Sequence, residues 1–123
     1  MLFRSAVYGA ERAVYFSLSN LMMMPALVGL AIVDSFVAGV PLFTTDIPVH
    51  GPEIFYLENE QNGIMTPFDL AQYVDGVAKY LRDKEQMTTL VKGCAESASR
   101  YTLDAMVENF ATGVSAVLDG AAD

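Results

Sequence analysis

The chain is poor in the groups that most metal and redox sites need. Its 123 residues include one cysteine, Cys94, and one histidine, His50. A single cysteine closes no internal disulfide, and one Cys with one His is a poor metal set, so no metal site is expected. Cys94 falls within a helical pattern, where a free thiol usually fills core space. A reducing, cytoplasmic setting fits that usage. Basic residues are also scarce: 7 against 15 acidic ones, for a net charge of −8. A nucleic-acid backbone would be repelled, and no basic cluster offsets this, so a nucleic-acid partner is excluded. Charged residues make up 18% and hydrophobic ones 53%, which rules out global disorder and provides for a packed core. There is neither an internal repeat nor a long linker.

Charge is missing altogether from Ala13 to Val33, a run long enough to raise the question of a membrane span. Pro25 and Gly29 interrupt it, Ser17, Ser19 and Asn20 are polar, and Asp34 ends it. A buried strand, a loop and a buried helix account for the same residues, so no transmembrane span is expected. Arg4, Glu11 and Arg12 do not make the basic start of a signal peptide.

What is present reads as alternation. Residues 10–16 suit a short helix, and Leu21-Met22-Met23-Met24 a buried strand ending at Pro25. Leu30 to Ala38 predicts a helix with Leu30, Val33 and Val37 on one stripe and Ile32 and Phe36 beside it. Gly39 stands where a left-handed cap belongs. Leu42 to Thr45 is a second strand. Gly51-Pro52-Glu53 opens a short helix, with proline in its first turn and an acid near its positive end. Gly63-Ile64-Met65 is a third, very short strand.

Helices alone follow. Thr66-Pro67-Phe68-Asp69 predicts an N-terminus capped by Thr66, with Phe68, Ala71, Val74, Ala78 and Leu81 facing inward. Asp83-Lys84 opens the next helix, with Met87, Leu90, Val91 and Cys94 inward. Thr102 caps the last, whose apolar positions are Leu103, Met106, Phe110, Val114 and Val117. Strand–helix alternation predicts an α/β fold, a partial Rossmann-like doubly wound parallel sheet of about three strands with right-handed crossovers. The strand–helix part is expected over about 1–65 and the helical tail over about 66–123, together one partial domain. The alternation begins abruptly near residue 10, as in a piece of a larger domain.

Residues 20–65 resemble a glycosyltransferase family 4 (group 1) C-terminal domain of GT-B architecture. The resemblance is carried by Pro25-Ala26-Leu27-Val28-Gly29-Leu30, by Asp34 on the following helix, and by Ala38-Gly39-Val40-Pro41. It continues through Thr44-Thr45-Asp46, His50-Gly51-Pro52-Glu53-Ile54 and Asn62-Gly63-Ile64-Met65. Each piece is weak alone; the order and spacing together are specific. Ala6-Val7-Tyr8-Gly9, Tyr15-Phe16 and Tyr101-Thr102-Leu103 extend it over most of the chain.

The resemblance implies a donor site for a UDP- or GDP-sugar and transfer of a hexosyl group with retention, with no cofactor. The backbone at Val28, Gly29 and Leu30 would face the phosphates and sugar, and Asp34 would hold the ribose. No residue is assigned a catalytic role. The physics is compatible: a loop feeding a helix N-terminus presents free N–H groups and the positive dipole end. Where the family commonly has two glutamates separated by seven residues, this chain has Ala26 and Asp34. The basic residues that usually neutralise the diphosphate have no counterpart, and the N-terminal acceptor domain is missing. Alternatives are a donor-binding module serving a separately encoded N-terminal half, or a degenerate fragment. His50 reads as loop surface, and Glu53 as a helix-capping acid.

Overall fold

A computed structural model describes residues 6–120; Arg4 lies outside the described residues. The element order is α1 (Gly9–Ser17), β1 (Met22–Met23), α2 (Ala31–Ala38), β2 (Leu42–Thr45), a 3-10 turn (Pro52–Tyr56), β3 (Gly63–Thr66), α3 (Leu70–Arg82), α4 (Lys84–Arg100) and α5 (Leu103–Gly120). The strands form one parallel sheet in the order β1-β2-β3. The uncharged run is divided among the end of α1, β1, a loop and the start of α2. Among the described residues, no helix is long and apolar enough to cross a membrane.

Strand side chains alternate between the two faces of the sheet, and β2 shows why both faces are covered. Leu42 packs with Val28, Ile32, Phe36 and Cys94, whereas its neighbour Phe43 packs with Ile64, Tyr73, Val77, Tyr80 and Leu90. Helix α2 therefore covers one face and α3 the other, and α4 contributes to both clusters. All four residues of β2 are buried, as expected of the central strand of a parallel sheet. Each large side chain fully buried here stabilises the fold by roughly 1.5–3 kcal/mol.

Two helices bury a different stripe from the one expected. On α2 the buried residues are Ile32, Ser35 and Phe36, while Leu30 is 70% exposed and Val37 73%. The helix is apolar nearly all round, so its pattern does not choose a face; the sheet takes Ile32 and Phe36. On α3 the buried residues are Tyr73, Val77 and Tyr80, and Phe68, Val74 and Leu81 are exposed. The tyrosines win because each can bury its ring and still satisfy its polar end or find a partner. The Tyr73 hydroxyl donates to the Phe43 carbonyl at 3.0 Å, and the Tyr80 ring meets the Phe43 ring edge-on at 5.5 Å.

The α3 cap is also displaced. Thr66 belongs to β3, paired with Thr45, and Asp69 is the cap instead, its Oδ1 accepting from the Gln72 N–H at 2.9 Å. The expected caps elsewhere are in place. Asp83 accepts from the Glu85 and Gln86 N–H groups, and Thr102 accepts from Ala105. Gly39 ends α2 at φ 66°, a conformation that costs other residues but not glycine. The Gly51-Pro52-Glu53 start makes only a five-residue 3-10 turn.

The turn before β3 is clamped by Asn62, which is buried. Its Oδ1 accepts from the Glu58 N–H at 2.8 Å, and its Nδ2 donates to the Tyr56 carbonyl and to Ser97 Oγ at 2.9 Å each. Helix α4 lies so close to this turn that a Cβ on Gly93 would collide with the Gln61 carbonyl. The Asn-Gly pair before the last strand thus has a structural duty. Helices α1 and α5 are the exceptions to this packing: neither has a buried residue.

Candidate functional site

The carboxyl ends of β1 and β2 carry two of the segments of the resemblance, the loop from Met24 to Leu30 and the loop from Asp46 to Gly51, and in open α/β sheets ligands bind at such ends. The loop from Met24 to Leu30 is tied down by β2. Thr45 Oγ1 donates to the Pro25 carbonyl at 2.6 Å, and Thr44 Oγ1 to the Ala26 carbonyl at 3.3 Å. Those two threonines are buried, so the hydroxyls serve the loop and leave no unpaired polar group in the core.

His50 and Gly51 hold the far end of the same loop. The Val28 N–H donates to His50 Nδ1 at 3.1 Å, and the Gly51 N–H donates to the Val28 carbonyl at 2.8 Å. His50 Nε2 stands 2.8 Å from the Thr45 carbonyl. A carbonyl only accepts, so Nε2 carries the proton; a bare Nδ1 then accepts from Val28. The two loops approach closely. A Cβ on Gly51 would come within 2.5 Å of Glu53 Oε2 and 3.1 Å of the Val28 carbonyl oxygen. His50 is therefore part of the scaffold of this loop, not simple loop surface.

The sequence-predicted site residues fall into two groups. Val28 is buried, and both of its backbone polar groups are engaged by His50 and Gly51. Gly29 and Leu30 follow it into the N-terminus of α2, and their N–H groups have no hydrogen-bond partner among the described residues. Of the three backbone positions, these two retain free donors. Position 29 is open: a Cβ there would meet only Glu53 Oε2, at 4.0 Å. The Glu53 carboxylate therefore lies close to the positive end of α2, where negative charge is favoured. An anion brought there would share the space with it.

Asp34 sits in the first turn of α2, but its carboxylate reaches toward α1. Arg12 grips it with two bonds, Nη1 to Oδ2 at 2.9 Å and Nη2 to Oδ1 at 3.1 Å. The side chains are 48% and 38% exposed, so the pair contributes about 0–1 kcal/mol to stability. The cleft that Asp34 lines is walled by Arg12, Ala13 and Phe16 of α1 and by Val37 and Ala38 of α2. Val28, Gly29 and Leu30 do not line it. The free amides and the acid share one helical turn but open onto different surroundings. A basic side chain does stand beside the acid, 22 residues upstream.

A second cleft, of about 440 Å³, opens at the carboxyl ends of β2 and β3. Asp46, His50, Phe55, Leu57 and Met65 are among its walls, and Phe55 is 85% exposed. Burial pushes the Cys94 thiol up to about 12, far from the thiolate a nucleophile needs, and its Sγ donates to the Asn62 carbonyl. Burial raises Tyr73, and burial with nearby Glu60 and Asp83 raises Tyr80. No group of three or more His, Cys, Asp or Glu among the described residues could hold a metal ion.

The missed residues, His50 and Arg12, both act across 22 positions. No periodicity links residues so far apart, so only the packing of α1 on α2 and the meeting of the two loops could reveal them. Comparison with models of protein families and with curated proteins finds no match to this chain.

Proposed function

We propose that the chain is the donor-side segment of a GT-B glycosyltransferase, whose complete enzyme moves a hexosyl group from a UDP- or GDP-sugar to an acceptor with retention. The observation that carries this reading is the β1–α2 junction. A parallel strand ends, a loop braced by β2 follows, and Gly29 and Leu30 lead into a helix with free N–H groups and an acid in its first turn. Free amides at the positive end of a helix suit a diphosphate. Holding that diphosphate as it departs would supply much of the catalysis, because donors already in place need no reorganisation. Asp34 would exchange Arg12 for the ribose hydroxyls, or hold them while still paired.

The acceptor is assigned to a separate N-terminal domain. Bringing both substrates together is worth roughly 7–11 kcal/mol, so the 123-residue chain on its own should transfer no sugar. Helix α5 favours a second reading, that of a binding module docking onto a separately made N-terminal half. Leu103, Phe110 and Val117 stand uncovered along its length, as a helix awaiting a partner would present them.

Titration of UDP and GDP into the chain, followed by NMR shifts of the Gly29 and Leu30 amides, tests the site. Weak binding is expected, with Kd on the order of 1 mM, since the net charge of −8 opposes an anion. Gly29→Val should abolish the amide shifts by filling the open approach. Asp34→Ala should weaken binding by about 1–3 kcal/mol. Unchanged affinity in both variants would make the motif pure scaffold and end this reading.

A further inference from the structure

We propose that His50 is a positioning residue whose protonation state fixes the β1–α2 loop, so that the loop is clasped when the imidazole is neutral and released when it is charged. The geometry leaves one arrangement of protons. The Thr45 carbonyl at 2.8 Å from Nε2 requires a donor there, and the Val28 N–H at 3.1 Å from Nδ1 requires an acceptor. Only the neutral imidazole protonated at Nε2 satisfies both. A second proton, taken from solvent onto Nδ1, would set one N–H against another and break the bond to Val28.

The clasp occupies a sensitive place. Val28 is the last residue before the free amides of Gly29 and Leu30, and its side chain is fully buried beneath α2 with Ile32 and Phe36. Losing the bond at its N–H leaves the Thr44 and Thr45 hydroxyls and the Gly51 N–H still holding the loop. The result is a local loosening, not unfolding. The charged groups around the imidazole are Asp46, which lines the same cleft, and Glu53, whose carboxylate stands beside Gly29 and Gly51. The loop from Met24 to Leu30 contributes no titratable side chain, and no basic side chain lines the cleft. Acid conditions are therefore expected to loosen the loop at Val28, just ahead of the two amides, while the Gly29 and Leu30 carbonyls stay bonded to Ile32 and Val33 of α2. The consequence for a bound donor rests on the glycosyltransferase reading; the clasp itself does not.

NMR of the full chain without nucleotide tests the clasp. At about pH 8, long-range proton–nitrogen spectra should show His50 protonated at Nε2 only. On lowering to about pH 5, hydrogen-exchange protection of the Val28 amide should fall about tenfold relative to amides of β2 and β3, the scale of one lost hydrogen bond. In His50→Asn, which cannot titrate, the relative protection should not change with pH. A proton on Nδ1 at the higher pH, or wild-type protection that ignores pH, would overturn the proposal, and neither measurement needs the variant to fold. Adding UDP at both values separates the two readings. If Val28 responds to pH while no nucleotide binds at either value, the clasp stands and the donor site fails.

Discussion

Helices α2 and α5 are similar in composition and opposite in fate. Both are rich in valine, carry a phenylalanine, and end on glycine or beside one. Yet Phe36 of α2 is 1% exposed and Phe110 of α5 is 74% exposed. The difference lies in what each helix meets. Helix α2 returns from β1 to β2 within a short connection and is laid on the sheet by that crossover. Helix α5 follows α4 and joins no two strands among the described residues, and its apolar stripe finds no cover among them. An apolar stripe states that a face should be covered; it does not name the cover.

The contrast can be broken most sharply with matched phenylalanine truncations. Phe36→Ala should destabilise the fold by about 3–5 kcal/mol, the cost of emptying a packed site, read from urea denaturation. Phe110→Ala should stay within about 0.5 kcal/mol of wild type. Equal losses would mean that α5 is packed in solution and that the two helices do not differ.

Matched glycine substitutions sharpen the same point on a smaller scale. A Cβ on Gly93 of α4 meets the Gln61 carbonyl, whereas one on Gly113 of α5 meets nothing within 4 Å. Gly93→Ala should cost about 1–3 kcal/mol through overpacking. Gly113→Ala should raise helix content and stabilise α5 by up to about 1 kcal/mol. Circular dichroism alongside denaturation reads both, and a destabilising Gly113→Ala would reveal a close neighbour of α5.

The smallest effect is expected where α1 meets α2. Asp34→Ala should change stability by at most about 1 kcal/mol, because the Arg12 pair is half in solvent. The loss should shrink further at high salt. A larger loss would make the pair a structural brace and would weaken the case for Asp34 as a ligand.

Local patterns in the chain were sufficient for the positions of the strand segments, the parallel alternation, the glycine cap at Gly39 and the helix starts at Asp83 and Thr102. Each of these depends on neighbours within a turn or a strand, and residue type constrains such geometry directly. They were not sufficient for the expected burial of the first strand: β1 is an edge strand of two residues, and Met23 is 54% exposed. The same patterns misjudged α3. Thr66-Pro67-Phe68-Asp69 holds two plausible caps, and the pairing of Thr66 with Thr45 removed the first from contention. The candidate site was legible only as local positions: Gly29 and Leu30 lead into α2 and the acid stands in its first turn, but Asp34 turns to Arg12 in a cleft that the free amides do not line. The engagement of the Val28 N–H was not legible, since its partner lies 22 residues away.

Order and type of elements, then, follow from short-range chemistry: proline and glycine limit backbone angles, and apolar spacing sets the period. Which face each helix buries was left to the fold, because α2 and α3 each carry more than one apolar stripe. The sheet settled it by offering Phe43 an edge-on tyrosine on one side and Leu42 a bed of Ile32 and Phe36 on the other. The roles of His50 and Arg12 came from the same source. A side chain with several possible hydrogen bonds makes the ones its tertiary neighbours present, and here those neighbours were a threonine carbonyl, a valine amide and the carboxylate of Asp34.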